Sequence, residues 1–218
     1  MNYGNLGNLF VSRPPRRGVT ISAHIGKEGP FWATYFSLGE GTSISKESYP
    51  HPSLYLGLGG EVFLEDKGRI PLAPGSLYLR STHEPFGEST ITGGSYLEIV
   101  LGKEENVMIK NIEAGKPFLL KELVPVEEGS IVNLDLLQSK GGKFALMAFD
   151  KGESLAPHRA PGEALLFALE GEAEFAYEGK TYQLREGEIF HMAKNGLHAL
   201  KALTPFKMAL LLSLGEEE

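Results

Sequence analysis

The sequence predicts an all-β protein made of two tandem barrels of similar fold. Three observations support this prediction: glycines that recur at a nearly constant interval, short β-rich segments between turn residues, and very few helix signals. Gly, Pro, Asp and Lys-Gly turns separate the segments at the spacing of a sandwich or barrel. The best helical candidate covers residues 117–125, where no clear cap begins a helix and Pro125 would end it.

The β-rich segments fall into two groups of five. They are residues 31–38, 53–58, 61–65, 75–79 and 95–101 in the first half, and 143–150, 164–169, 172–177, 188–192 and 207–214 in the second. Each segment is rich in β-branched, aromatic or other apolar residues, which is typical of strands.

The glycines define an internal repeat. Gly41, Gly60 and Gly68 recur 111 residues later as Gly152, Gly171 and Gly179, Gly75 recurs as Gly187, and Gly102 recurs as Gly215. The sequence GEVFLEDKG at 60–68 also matches GEAEFAYEG at 171–179. The repeat predicts the same fold in both halves, with an N-terminal barrel in residues 1–110 and a C-terminal barrel in 111–218.

The boundary between the halves is loose. Residues 103–143 join them, and this segment contains FLLKELV at 118–124 and IVNLDLL at 131–137. Both runs are too apolar to remain in water, so we expect them to pack and to lend strands to one or both barrels.

Composition excludes several classes of function. The chain has no cysteine, which rules out disulfides, thiolate ligands and cysteine nucleophiles. Its 28 acidic and 21 basic residues give a net charge of -7, which disfavours nucleic-acid binding. The first 18 residues lack the apolar stretch of a signal peptide, and no run is long enough to span a bilayer. These features predict a cytoplasmic protein with no membrane or nucleic-acid partner.

Several residues of the second half resemble the two sequence motifs of the cupin superfamily. They are Gly152, His158 and Gly171, followed by Gly179, Gly187, Glu188 and His198. The resemblance is good over residues 144–215 and weak over 30–102, and with the repeat it indicates a two-domain bicupin. It implies two jelly-roll barrels, also called double-stranded β-helices, and a divalent metal bound inside a barrel.

The resemblance also implies a ligand set, which this sequence carries only in part. In cupins the first motif supplies two histidines and a glutamate, and the second motif supplies a third histidine. His158 and His198 occupy two of these positions, whereas Ala160 stands at the second histidine position. The glutamate position falls on Ala164, so Glu163 lies one residue early.

The residue types themselves suit a first-row metal. Imidazole and carboxylate ligands bind Fe, Mn, Ni, Zn or Cu, so His158, Glu163 and His198 are the predicted ligands and His191 is a further candidate. Strand alternation separates His191 from Phe190, but both faces of that strand carry apolar residues, so the inward face stays open. The alternative is a solvated turn for Glu163, a strand-end histidine hydrogen-bonded to the backbone at position 158 and an exposed edge for His191.

The first half lacks the equivalent ligands. Applying the repeat, the four motif positions fall on Glu47, Tyr49, Ser53 and Phe86, and none is a histidine. His24 is expected before the first barrel strand. We therefore expect a structural N-terminal barrel whose interior is filled by Tyr49, Tyr55 and Phe86.

Two functions remain open at this stage. In the first, the C-terminal barrel holds one divalent metal and acts on a small organic molecule, as a dioxygenase, isomerase or decarboxylase would, with Phe167 and Phe190 shaping the pocket. In the second, the protein is a non-catalytic small-ligand binder or sensor without metal. Enzymatic activity and substrate are undetermined, and a homodimer is compatible with both.

Overall fold

The computed structural model describes residues 2–25, 31–80, 82–101 and 107–214. The chain divides into two compact units. We call Leu9–Lys103 with Ile112–Leu119 the N-terminal barrel, and Met1–Asn8, Glu104–Asn111 and Leu120–Glu218 the C-terminal barrel. The first eight residues of the chain are therefore part of the C-terminal barrel. Among the repeated glycines, Gly102 and Gly215 lie outside the described residues.

The strands and helices of the described residues are, in chain order, β1 (Leu6–Gly7), α1 (Leu9–Ser12), β2 (Thr20–Ile25), β3 (Trp32–Leu38), β4 (Ser43–Glu47), β5 (Ser53–Gly60), β6 (Phe63–Glu65), β7 (Arg69–Pro71), β8 (Ser76–Arg80), β9 (Phe86–Ser89), β10 (Gly94–Val100), β11 (Met108–Ile109), β12 (Pro117–Leu119), a 3-10 helix (Leu120–Glu122), β13 (Ile131–Gln138), β14 (Gly142–Phe149), β15 (Ser154–Arg159), β16 (Glu163–Glu170), β17 (Glu172–Tyr177), β18 (Lys180–Arg185), β19 (Ile189–Met192), β20 (Leu197–Ala202) and β21 (Phe206–Ser213).

The all-β prediction is confirmed. Each of the ten predicted segments is a strand whose ends lie within two residues of the predicted ones. The best helical candidate, at 117–125, is not a helix: residues 117–119 pair with β8 as a strand, and a single 3-10 turn follows. The apolar linking segments do pack, since Leu120 and Val124 are buried and IVNLDLL lies within β13. Within the described residues, no helix has the length and hydropathy needed to cross a membrane.

The two barrels share one strand order. The N-terminal barrel has a six-stranded sheet, β12-β8-β5-β10-β3-β2, and a four-stranded sheet, β4-β9-β6-β7. The C-terminal barrel has β1-β19-β16-β21-β14-β13-β11 and β15-β20-β17-β18. In each barrel a short strand from a distant part of the chain pairs with the outer strand of the large sheet, namely β12 with β8 and β1 with β19.

The interior of the C-terminal barrel is apolar. Its buried cluster includes Ala164, Leu166, Phe175, Phe190, Met192, Leu200, Phe206 and Met208. Burial of this set removes a large apolar area from water, and this is the main driving force for folding the barrel.

The interior of the N-terminal barrel is built around aromatic side chains. Tyr55, Tyr78, Phe86 and Tyr96 belong to its buried cluster, so the prediction that Tyr55 and Phe86 fill this barrel is confirmed. Tyr49 was predicted wrongly, because 40% of it is exposed. It lies beyond the last residue of β4, outside the paired strands. His24 was also placed wrongly, because it lies within β2 and pairs with Thr34 of β3.

Candidate functional site

The predicted ligands form two separate pairs. His158 of β15 and His198 of β20 are direct cross-strand partners, and their ring centroids are 4.1 Å apart. Glu163 of β16 and His191 of β19 form the other pair, with 2.6 Å between Oε1 and Nε2. The His158–His198 pair lies on the four-stranded sheet, whereas Glu163 and His191 lie on the large sheet.

The two sides of β16 and β19 determine where Glu163 and His191 point. Ala164, Phe190 and Met192 belong to the interior cluster of the barrel. Because side chains alternate along a strand, Glu163 and His191 lie on the opposite face of the sheet. The face of His191, which the sequence left open, is therefore the outer one, and Glu163 is turned away from His158 and His198.

The two remaining motif positions cannot donate to a metal. Ala164, at the glutamate position, faces the interior and is 2% exposed, while Ala160, at the second histidine position, is 4% exposed. Methyl groups occupy both places where a carboxylate or an imidazole would be needed. Among the described residues, no group of three or more His, Cys, Asp or Glu side chains is arranged to hold a metal ion.

The histidine pair itself is oriented by the backbone. The Nδ1 atom of His158 lies 2.8 Å from the carbonyl oxygen of Ala156, and Nδ1 of His198 lies 3.0 Å from that of Gly196. A carbonyl oxygen can only accept a hydrogen bond, so each Nδ1 carries the hydrogen. In the neutral ring each Nε2 then keeps its lone pair, which is the arrangement typical of metal-binding histidines.

His198 lies where the barrel interior begins. It shares a strand face with Leu200 and Ala202 of the interior cluster, and its ring centroid is 5.9 Å from that of Phe175. Burial lowers the pKa of His198 below its usual value, and the neighbouring His158 lowers it further, against the opposing effect of the hydrogen bond that His198 donates to the Gly196 carbonyl. This shift favours the neutral form of His198, while His158 is exposed to solvent.

The predicted pocket residues are divided between the two faces of the large sheet. Phe190 lies in the interior, edge-on to Phe175 and to Tyr177 at centroid distances of 4.8 and 5.1 Å. Phe167 alternates with Leu166 and so faces outward, away from the histidine pair. Sequence reasoning missed Phe175 and Tyr177, although their spacing of two residues in EAEFAY already placed them on one strand face.

Glu163 and His191 instead bind the N-terminal segment of the chain. The hydroxyl of Tyr3 donates to Oε2 of Glu163 at 3.0 Å, and its ring lies 4.5 Å from the His191 ring. Burial and the Glu163 carboxylate raise the pKa of Tyr3 to about 12. The side chain of His191 is 2% exposed and that of Glu163 is 18% exposed. The exposed-edge alternative for His191 and the solvated-turn alternative for Glu163 are therefore both wrong.

Comparison with known proteins supports the fold independently. The family described as "Cupin domain" matches residues 145–214. The structure of a cupin 2 conserved barrel domain protein from Leptotrichia buccalis superposes with a TM-score of 0.85 and 24% identity, covering 98% of both chains. A salicylate 1,2-dioxygenase from Pseudoaminobacter salicylatoxidans, solved as adducts with gentisate, superposes at a TM-score of 0.65 and 13% identity, covering 94% of this chain and 76% of that one.

No curated protein matches the sequence. At these identities the structural likeness establishes the fold alone. The domain match identifies residues 145–214 as similar to the cupin domain. Three observations agree on this fold: the strand order that both barrels share, the motif positions of His158 and His198, and the domain match. Residues 145–214 therefore match the cupin domain family, and the chain as a whole has the fold of a cupin barrel protein.

Proposed function

We propose that the C-terminal barrel binds one first-row divalent metal ion through Nε2 of His158 and Nε2 of His198, and that it uses this site to bind a small organic molecule. The observation that carries the proposal is the pair of Nδ1 hydrogen bonds to backbone carbonyls. They fix the tautomer of both rings, so neither ring needs to reorganise before it donates to a metal.

The donor set determines which ions fit. Two imidazoles without a carboxylate suit Cu(II), Ni(II) and Zn(II) better than Mg(II) or Ca(II), which require oxygen ligands. A two-histidine site leaves several coordination positions to water or to a bound molecule. A metal held there would act as a Lewis acid towards an oxygen-bearing ligand.

The chain's own residues supply the rest of the site. The rings of Phe175, Tyr177 and Phe190 pack against one another beneath the histidine pair and provide an apolar wall. Tyr177 is held by its hydroxyl, which accepts a hydrogen bond from the Ala193 amide at 3.0 Å. A mostly apolar pocket with a few fixed polar groups is the usual form of a small-molecule site.

A metal-free ligand site is the second candidate, and the two alanines favour it. Ala160 and Ala164 replace two of the four family ligands with methyl groups, and this change increases the apolar area of the interior. In this case the two Nε2 atoms would accept hydrogen bonds from the hydroxyl or amide groups of a ligand.

Metal analysis distinguishes the two candidates. Protein purified without chelator or histidine tag is dialysed against Zn(II) and analysed by mass spectrometry for bound metal. We expect about one equivalent, lost in His158→Ala and in His198→Ala but retained in Glu163→Gln, the matched control from the outer face. Loss in Glu163→Gln instead of the histidine variants, or no bound metal at all, would refute the two-histidine site.

A further inference from the structure

Three charged side chains lie in the interior of the N-terminal barrel, beside its aromatic cluster. Arg80 of β8 is 2% exposed and Glu88 of β9 is 6% exposed. Glu98 of β10 is half-buried and accepts a hydrogen bond from the hydroxyl of Tyr55 at 3.0 Å. Strand alternation puts all three on the inner face, because each lies two residues after a member of the interior cluster. We call Arg80, Glu88 and Glu98 the N-terminal polar cluster.

Arg80 has only part of its hydrogen-bonding capacity satisfied. Its Nη2 donates to the carbonyl oxygen of His51 at 2.8 Å and to the hydroxyl of Ser53 at 3.2 Å. Its Nε and Nη1 are buried and have no hydrogen-bond partner among the residues that the structure describes. In the part of the chain that the structure describes, none of the ion pairs includes Arg80.

A buried guanidinium in this state is costly. A cation removed from water needs an opposite charge or a full set of acceptors, and an arginine cannot discharge by losing its proton. Here two donor nitrogens lack acceptors, and the carboxyl group of Glu88 stays mostly protonated near neutral pH because burial and Glu98 raise its pKa to about 8. An added anion would supply acceptors for the two nitrogens.

The rings around Arg80 indicate the kind of anion. The Cζ atom of Arg80 lies 5.0 Å from the ring centroid of Tyr49 and 5.7 Å from that of Phe86. Tyr55 packs against Phe86 with a centroid distance of 4.8 Å. A guanidinium beside aromatic walls favours a carboxylate on an organic group over a strongly hydrated inorganic ion.

We propose that the N-terminal barrel binds a small organic carboxylate at Arg80. Nε and Nη1 of Arg80 donate to the carboxylate, and the rings of Tyr49 and Phe86 contact the organic part. The site is distinct from the His158–His198 pair. Arg80 itself lies at none of the four motif positions, whereas Tyr49 and Phe86 occupy two of them. The barrel that lost the histidines is then a second ligand-binding unit.

The single tryptophan makes the test specific for this barrel. Trp32 lies on β3 of the N-terminal barrel, so its fluorescence reports the unfolding of that unit. The urea midpoint is measured with sodium benzoate, with benzamide as the neutral comparator and with sodium chloride at the same ionic strength. We expect benzoate to raise the midpoint, because a ligand that binds only the folded state stabilises it, and we expect benzamide and chloride not to.

Variants then assign the effect to Arg80. Arg80→Met, which keeps the approximate size of the side chain without its charge, should fold and lose the benzoate shift, while His198→Ala in the other barrel should retain it. If Arg80→Met does not fold, Arg80→Lys replaces it as the test variant. We then expect its benzoate affinity, measured by calorimetry, to be at least tenfold weaker than that of the unaltered chain. The proposal is overturned if benzoate gives no shift, if chloride gives an equal one, or if the Arg80 variants bind benzoate as tightly as the unaltered chain.

Discussion

Replacing Glu88 by glutamine should make the N-terminal barrel more stable at neutral and alkaline pH. Glu88 is 6% exposed, and its pKa is raised from 4.5 to about 8, first by burial and then by the charge of Glu98. The nearby hydroxyls of Tyr55 and Tyr96 and the charge of Arg80 act in the opposite direction but are weaker. Between pH 4.5 and about 8, Glu88 therefore keeps its proton in the folded state, whereas in the unfolded chain it has lost it.

The sign and size follow from this difference. Below pH 4.5 both states are protonated and Glu88 costs nothing. As the pH rises from 4.5 to about 8, the free energy of unfolding falls by about 1.4 kcal/mol per pH unit, which reaches roughly 5 kcal/mol in total. Glutamine keeps the shape and remains neutral, so Glu88→Gln should abolish this fall and recover about 3 kcal/mol at pH 7.

Urea unfolding between pH 5 and 9, followed by Trp32 fluorescence, measures the effect. The midpoint of the unaltered barrel should fall across this range, while that of Glu88→Gln should stay nearly constant. Glu40→Gln is the control, because Glu40 is exposed and its contact with Arg17 is solvated, so it should follow the unaltered chain. Parallel curves for Glu88→Gln and the unaltered chain would refute the reasoning.

Two further substitutions test the packing of each barrel. Phe86→Ala should destabilise the N-terminal barrel by about 3–5 kcal/mol in urea unfolding, because it empties a buried aromatic position, whereas Ile91→Ala at an exposed site should change stability by less than about 1 kcal/mol. Gly171→Ala should lower the thermal midpoint of the C-terminal barrel more than Gly179→Ala, although both glycines have positive φ, because only at Gly171 would a Cβ overlap a carbonyl oxygen, that of Pro205. Equal losses in either pair would contradict the packing described.

The strands could be predicted because their signal is local. Alternating apolar residues between glycine turns identify a strand without knowledge of its partners, and β17 was predicted with its bounds. The histidine pair could be predicted because the family motif fixes the spacing of His158 and His198. Their cross-strand contact then follows from the fold.

The role of Glu163 could not be predicted from its position in sequence. A displacement of one residue along a strand reverses the side of the sheet that a side chain faces, and this reversal separates Glu163 from the barrel interior. Besides His191, it contacts Tyr3, which lies 160 residues away in the chain. No local pattern indicates a contact of that range.

The charged interior of the N-terminal barrel was missed for a different reason. Arg80, Glu88 and Glu98 lie on three different strands and look like ordinary surface charges in the sequence. Charged side chains are rarely buried, so a reading of the sequence assigns them to solvent. The strands of Arg80 and Glu98, β8 and β10, come close because both pair with β5, which lies between them. This pairing cannot be read from the local sequence.

The central claim is that the rings of His158 and His198 together form the ligand site of the cupin domain. Electron paramagnetic resonance of the Cu(II)-loaded protein tests it most directly, because nitrogen couplings count the imidazoles bound to the ion. We predict couplings from two imidazoles in the unaltered chain and in Glu163→Gln, one in His158→Ala or His198→Ala, and none at this site in the double variant. A spectrum that is unchanged in the double variant would contradict the claim.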